Sequence, residues 1–197
     1  MMTKSSLRAI LTLALCLTAS QALADEKASN EKPATQAAAF GKLTLNLPST
    51  WKDAEVVSRM RLGKTYHTPI AEGDKDPGEL TVFSFPGGGG GVAANIQRWI
   101  GQFQSAGRKS SIKTGKAGES TYYLAEISGT YKKSIGPPIQ QRTEDMEGYR
   151  MIGVILEADG EVYYLKLTGP DATIRAQAHA FRTSFGGHAA HESDYAL

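Results

Sequence analysis

Residues 151–168 read MIGVILEADGEVYYLKLT, two apolar and β-branched runs, Met151–Glu157 and Val162–Thr168, joined across Asp159-Gly160. Both centre positions of a type I′ turn need positive φ, which Asp-Gly tolerates, so this stretch reads as a β-hairpin. The period then changes. Ile174, Ala178, Phe181 and Phe185 recur at helical spacing between about Asp171 and Phe185, with Asp171 placed to cap the first turn. A hairpin that feeds an amphipathic helix calls for a sheet with a helix packed on it.

Toward the N-terminus, further strand regions near 149–157, 120–130 and 110–117 are bounded by Gly, Ser or Pro clusters. Residues 131–147 (YKKSIGPPIQQRTEDME) read as a long polar excursion around Pro137-Pro138. Upstream, Ile96, Trp99, Ile100 and Phe103 form one helical stripe, with Gln97, Arg98, Gln102 and Gln104 largely on the wet side. Five glycines, Gly87–Gly91, precede that helix and follow the strand Glu79–Phe85, which Pro86 ends. Residues 68–78 read as a loop and 54–67 as a weakly patterned strand region. Leu43, Leu45 and Leu47 alternate with polar residues in a half-buried strand that Pro48 stops. The order of elements gives an α+β fold, a mostly antiparallel sheet packed by helices, with no internal repeat.

The ends are of a different kind. Lys4 and Arg8 precede the apolar stretch Ala9–Ala19, and Ala22-Leu23-Ala24 offers a cleavage site, so residues 1–24 read as a signal peptide cut after Ala24. The apolar run is well short of the roughly 20 residues that a spanning helix needs. Leu15, directly before Cys16, breaks the small-residue pattern of lipoprotein signals, so no stable membrane anchor is expected after cleavage. The mature chain is then expected in the periplasm or secreted. Residues 25–39 carry charge, Pro, Ser and Ala without an apolar period and read as a disordered linker. Residues 187–197 read as a flexible tail, which leaves 40–186 as a single α+β domain.

Losing Lys4 and Arg8 takes the basic residues from 22 to 20 against 20 acidic ones, so the formal charge of +2 belongs to the leader. A neutral mature chain argues against generic nucleic-acid binding, which rests on phosphate neutralisation. Cys16, the single cysteine, also leaves with the leader. Disulfides, thiolate nucleophiles and Cys-ligated zinc are thereby excluded from the mature domain.

Candidate sites are few. A glycine run before a helix invites an anion, since free amides collect at a helix N-terminus. The run lacks the GxxxxGK[ST] of a Walker loop, and a dinucleotide fingerprint also wants a parallel βαβ unit. A flexible connector is favoured over a small-anion or ligand loop, for which Gly89, Gly90, Gly91, Asn95 and Arg98 would be the binding residues. His188-Ala-Ala-His191-Glu192 has the wrong order for His-Glu-x-x-His or its inverse. His67 and His179 show no recognisable partner, and neither a metal nor another cofactor is expected. No G-x-S-x-G elbow or S-x-x-K pair occurs, so no catalytic residue is assigned. Glu144, Asp145 and Glu147 read as a solvated acidic turn. In the adjacent pairs Tyr122-Tyr123 and Tyr163-Tyr164, one ring of each belongs in the core and the other is partly exposed. Exposed tyrosines beside Lys132, Lys133 and Arg142 would furnish a partner surface, although sheet packing alone accounts for the tyrosines and is preferred.

Leu45-x-Leu47-Pro48-x-x-Trp51 resembles the opening of PsbP-like domains, and Phe181-x-x-Ser184-Phe185 resembles the way they close. The element order between them is also similar, over roughly residues 40–185. The resemblance implies a PsbP-like α/β/α sandwich of the exported bacterial PsbP/DcrB type, a group mostly of binding or assembly proteins with no shared active site. It therefore implies a non-enzymatic exported domain whose partner is an unidentified envelope protein. The five glycines and residues 131–147 depart from that pattern.

Overall fold

In the computed structural model, which describes residues 33–54, 62–136 and 142–197, the Asp159-Gly160 turn closes a long hairpin. Its strands are β8 (Thr143–Ala158) and β9 (Glu161–Pro170), paired from Ala158–Glu161 to Tyr149–Pro170. Asp159 has φ 53° and is the only non-glycine residue with positive φ among those described. The other strands are β1 (Thr35–Phe40), β2 (Leu43–Pro48), β3 (Lys52–Ala54), β4 (Thr65–His67), β5 (Glu79–Ser84), β6 (Lys109–Ala117), β7 (Ser120–Ser134) and β10 (Ser193–Asp194). Of these ten strands among the described residues, eight make one antiparallel sheet in the order β10-β6-β7-β8-β9-β5-β4-β3, while β1 and β2 form a separate hairpin. Among the described residues two α-helices, α1 (Val92–Ile100) and α2 (Asp171–Ser184), complete the α+β fold.

Strand alternation sends side chains to two cores. On one face Leu124, Ile152, Val154, Leu165 and Leu167 pack with Phe40, Leu45 and Leu47 of the β1–β2 hairpin and with Ile174 and Phe181 of α2. On the other, Ala125, Ile127, Met151, Ile155 and Tyr164 pack against Ile96 and Trp99 of α1 and against Phe103. Gly153 makes that second contact possible. A Cβ there would lie 2.5 Å from a Trp99 ring carbon, so the indole rests directly on the strand backbone.

Trp51 is fully buried in the first core, and its indole Nε1 donates to Gln177 Oε1 of α2 at 2.9 Å. Gln36 of β1 ties the turn from the other side, its amide donating to the carbonyls of Pro48 and Trp51. The Leu-Pro-x-x-Trp stretch is thus a core and turn device.

Several boundaries differ from the sequence reading. Residues 1–24, most of the linker and Pro137-Pro138 lie outside the described residues, but 35–39 are strand, not linker. Ala38 and Phe40 are buried and Ala38 pairs with Leu45, a pattern hidden because small alanines occupy exposed and buried positions alike. The tail 187–197 is likewise folded: a 3-10 turn at Ala189–His191 leads into β10, so the compact unit runs over Thr35–Leu197. The excursion at 131–147 is mostly strand, since β7 continues to Ser134 and β8 begins at Thr143. Asp171 does not cap α2. Asp74, from the loop before β5, accepts from Thr173 N and Oγ1 at 2.8 and 2.7 Å, while Asp171 pairs with Arg150 and Arg175. Phe103 lies past the end of α1 and forms an isolated bridge to Tyr131 instead.

Candidate functional site

The glycine run folds as a 3-10 turn over Pro86–Gly90 that hands directly to α1 through Gly91. Gly87, Gly89, Gly90 and Gly91 have φ of 77°, 60°, 99° and 81°, which side-chain-bearing residues rarely adopt. Conformation rather than crowding requires glycine, since a Cβ at Gly87, Gly90 or Gly91 would meet nothing within 4 Å. Asn95 is buried beneath the turn, its amide donating to the carbonyls of Gly89 and Gly91 at 3.0 and 2.7 Å. Arg98 Nη1 donates to Asn95 Oδ1 at 2.8 Å. Gly89, Gly91, Asn95 and Arg98 are thus one network, with Gly90 between its anchors. In this arrangement Asn95 gives its amide protons to the loop's own carbonyls, and Phe85 beside it stays partly exposed over Tyr164.

The second candidate region is a two-stranded ribbon. β6 pairs with β7 only as far as Ser128 and β9 pairs with β8 only as far as Tyr149, whereas β7 and β8 continue together to Ser134–Thr143. A register shift between Gly129 and Tyr131 starts the extension. The chain after α1 flanks it briefly, with Gln104 N donating to Thr130 O and Lys132 N to Gln102 O. Beyond that point Lys132 stands opposite Asp145 and Lys133 opposite Glu144. The basic trio and the acidic group, read separately in the sequence, therefore face each other across one ribbon. Lys133, Arg142, Glu144 and Asp145 are exposed and Lys132 is half-buried. Gln104 Nε2 also donates to Asp145 Oδ2 at 2.7 Å.

Aromatic rings brace the ribbon's base. Phe103 tilts against Tyr131 at 5.2 Å between centroids, and Tyr131 stacks on Tyr149 at 6.2 Å. Burial, followed by the carboxylate of Asp76 that accepts the Tyr149 hydroxyl at 3.3 Å, pushes the phenol up to about 12. The folded state therefore holds this proton more tightly than the unfolded one, and the stability it contributes is present below pH ~10 and lost as pH rises toward about 12. A spectrophotometric titration of tyrosinate should show a late phase, shared with the other buried tyrosines, whose amplitude Tyr149→Phe lowers, and the same variant should lose less stability between pH ~10 and about 12 than the parent. An unchanged late amplitude in the variant would place the ring in ordinary solvent. Of the paired tyrosines, Tyr122 is buried and Tyr123 half-buried, but Tyr163 and Tyr164 are both buried because Trp99 and Phe85 cover the second face at Tyr164.

A third constellation escaped the sequence reading. Arg182 sits on the buried face of α2, its side chain 9% exposed, between Glu126 of β7 and Glu192 of the tail. Arg182 Nε donates to Glu192 Oε1 at 2.8 Å and Tyr122 Oη donates to the same oxygen at 3.1 Å. Arg150 extends the chain, reaching Glu126 at 3.1 Å and Asp171 at 2.8 Å. Burial would lower the Arg182 pKa, but the hydrogen bonds it donates to Glu192 and Glu126 hold it above its ordinary value. Each guanidinium here is matched by carboxylates on two sides, an arrangement that holds elements together and leaves no free base or nucleophile.

Among the described residues no group of three His, Cys, Asp or Glu side chains stands where it could hold a metal ion. His188 and His191 lie with ring centroids 4.8 Å apart, and His188 Nδ1 accepts from Ala190 N. His67 Nε2 approaches Glu79 at 3.8 Å, a partner with no trace in the sequence pattern. Among the same residues no helix is long and apolar enough to cross a membrane.

No protein-family model matches the chain, and none of the curated proteins does. Similar solved structures include cyanobacterial PsbP from Synechocystis sp. PCC 6803, at 13% identity and a TM-score of 0.47, over 84% of this chain and 95% of that one. Another is a protein of unknown function, PA94 from Pseudomonas aeruginosa, at 14% identity and a TM-score of 0.40, over 76% of this chain and 92% of that one.

Proposed function

We propose that this chain is an exported, non-catalytic accessory domain that engages a protein partner in the cell envelope. The observation that carries the reading is the β7–β8 ribbon, which leaves the sheet with exposed charges of both signs on paired strands. Such a projection gives a partner both main-chain edges and complementary charge, and complementarity of this kind sets specificity and association rate more than affinity. Lys132, Lys133 and Arg142 are its basic contacts.

The test uses the full chain, affinity-tagged and recovered from the periplasm after gentle crosslinking. A stoichiometric envelope protein is expected, and the combined change Lys133→Glu and Arg142→Glu should abolish its recovery while leaving the melting temperature within about 2 °C, as befits exposed residues. Recovery of free monomer alone sinks the reading. Binding of a small anion at Gly89–Gly91 is the other reading of the loop. It would require Asn95 to release carbonyls it now holds, and a phosphate series in a thermal-shift assay tests it directly.

A further inference from the structure

The outer side of β6 is covered by the chain that follows α2. After Gly186-Gly187 the backbone turns back and pairs with β6 for two residues, Ser193 with Thr114 and Asp194 with Lys113, and Tyr195 N donates to Ile112 O at 3.0 Å. Side chains on this segment make distinct contacts. The Glu192 carboxylate reaches Arg182 and Tyr122, Asp194 reaches Lys113 at 2.6 Å, and Tyr195 packs edge-on against Tyr123 at 4.9 Å. The cover is short, because β6 is nine residues long and, among the described residues, nothing pairs with the outer side of Lys109–Ser111. That strand and its approach carry Arg108, Lys109, Lys113 and Lys116.

An incompletely covered strand edge is a template for another extended chain, with main-chain hydrogen bonds giving affinity and alternate side chains specificity. The resident segment shows which chain fits: acidic where Glu192 and Asp194 stand, aromatic where Tyr195 stands, and antiparallel to β6. We propose that the β6 edge is a strand-addition site for an acidic, tyrosine-bearing extended segment of a partner protein, with residues 192–195 as its resident and displaceable occupant. The proposal rests on the accessory-domain reading and names the chemistry of the partner.

Most of the segment's grip lies in one contact. Asp194 has a side chain 90% exposed, and an ion pair of that kind adds little, whereas the Glu192 side chain is 4% exposed beside Arg182. A partner that left Arg182 bare would strand a buried charge, so it must bring its own carboxylate. By continuing along Lys109–Ser111 it would add strand pairs the resident lacks. Tethering reinforces that contact by giving the resident an effective concentration on the order of millimolar.

The probe is a fluorescent peptide of residues 187–197, measured by anisotropy against full-length chains. Glu192→Gln weakens the resident's hold while leaving the peptide's own carboxylate to reach Arg182, so this variant is expected to bind the peptide roughly ten-fold more tightly than the parent. Tyr195→Pro, which deletes the donor to Ile112, should act in the same direction. A peptide with lysine at both acidic positions should not bind, and Lys113→Glu in the Glu192→Gln background should weaken binding of the original a few-fold, as befits an exposed pair. Should either resident variant melt early, the parent decides alone: at millimolar unlabelled peptide its own Ser193–Tyr195 amide resonances must shift as the segment leaves β6, and their indifference overturns the proposal. So does peptide affinity equal in folded variants and parent. Peptide binding without any recovered envelope protein would leave the strand site standing and remove the accessory reading. Partner recovery indifferent to Lys113→Glu, with no peptide binding, would do the reverse.

Discussion

Arg182→Ala should lower the unfolding free energy by about 3–5 kcal/mol, the usual cost of removing one member of a buried ion pair. The loss comes less from the vanished attraction than from what remains. Glu192, with a side chain 4% exposed, would keep only the Tyr122 hydroxyl, and Glu126 would keep only Arg150. Urea denaturation at neutral pH followed by circular dichroism measures the effect directly. Arg182→Met combined with Glu192→Gln should recover most of it, because exchanging both partners for groups of similar volume is often close to neutral. A loss below about 1 kcal/mol for the alanine variant would mean that water screens these charges as it does a surface pair.

Trp51→Ala should cost a similar amount, about 3–5 kcal/mol, by opening a cavity beneath the β1–β2 hairpin. The indole is fully buried and donates to Gln177, so the substitution removes both packing and a link between the hairpin's exit turn and α2. Trp51→Phe separates the two contributions. It should retain most of the packing and lose about 1 kcal/mol for the hydrogen bond. The chain has two tryptophans, so fluorescence of the Trp51 variants reports Trp99 alone, on the opposite face of the sheet. If the two cores form one cooperative unit, the Trp99 signal and the circular dichroism signal will shift to lower denaturant together. An unmoved Trp99 transition would show that they unfold separately.

These two residues mark what could and could not be read in advance. Trp51 follows an alternating strand and a Pro-bounded turn, and its place in the core is legible from local pattern. Arg182 falls among the apolar positions of a helix whose stripe was legible through Ile174, Phe181 and Phe185, yet nothing local distinguishes it from a solvent-facing arginine. Its partners stand 56 residues upstream and 10 downstream. The cap of α2 escaped for the same reason: Asp171 sits where a local cap would, but Asp74 supplies it from 99 residues away. The hairpin at Asp159-Gly160 was legible because turn chemistry is local. The ribbon was not, because where both faces meet water a strand loses the alternation that identifies it.

The candidate sites divide along the same line. That Gly89, Gly91, Asn95 and Arg98 come together follows from their nearness in sequence. That Asn95 turns its amide inward to the loop's carbonyls is clear only once Tyr164 of β9 is seen to pack against the turn beside Phe85. Lys132 and Lys133 were visible as a basic group, but their registry with Asp145 and Glu144 exists only once the two strands pair.

The pairing of Arg182 with Glu192 ties the heart of the domain to a segment beyond its last helix. A chain cut or terminated anywhere between Ser184 and Glu192 would carry every strand of the main sheet except β10, both helices and both apolar cores, and still bury a guanidinium lacking one of its counter-ions. Molecules lacking the segment would thus differ from those carrying it in survival rather than in shape.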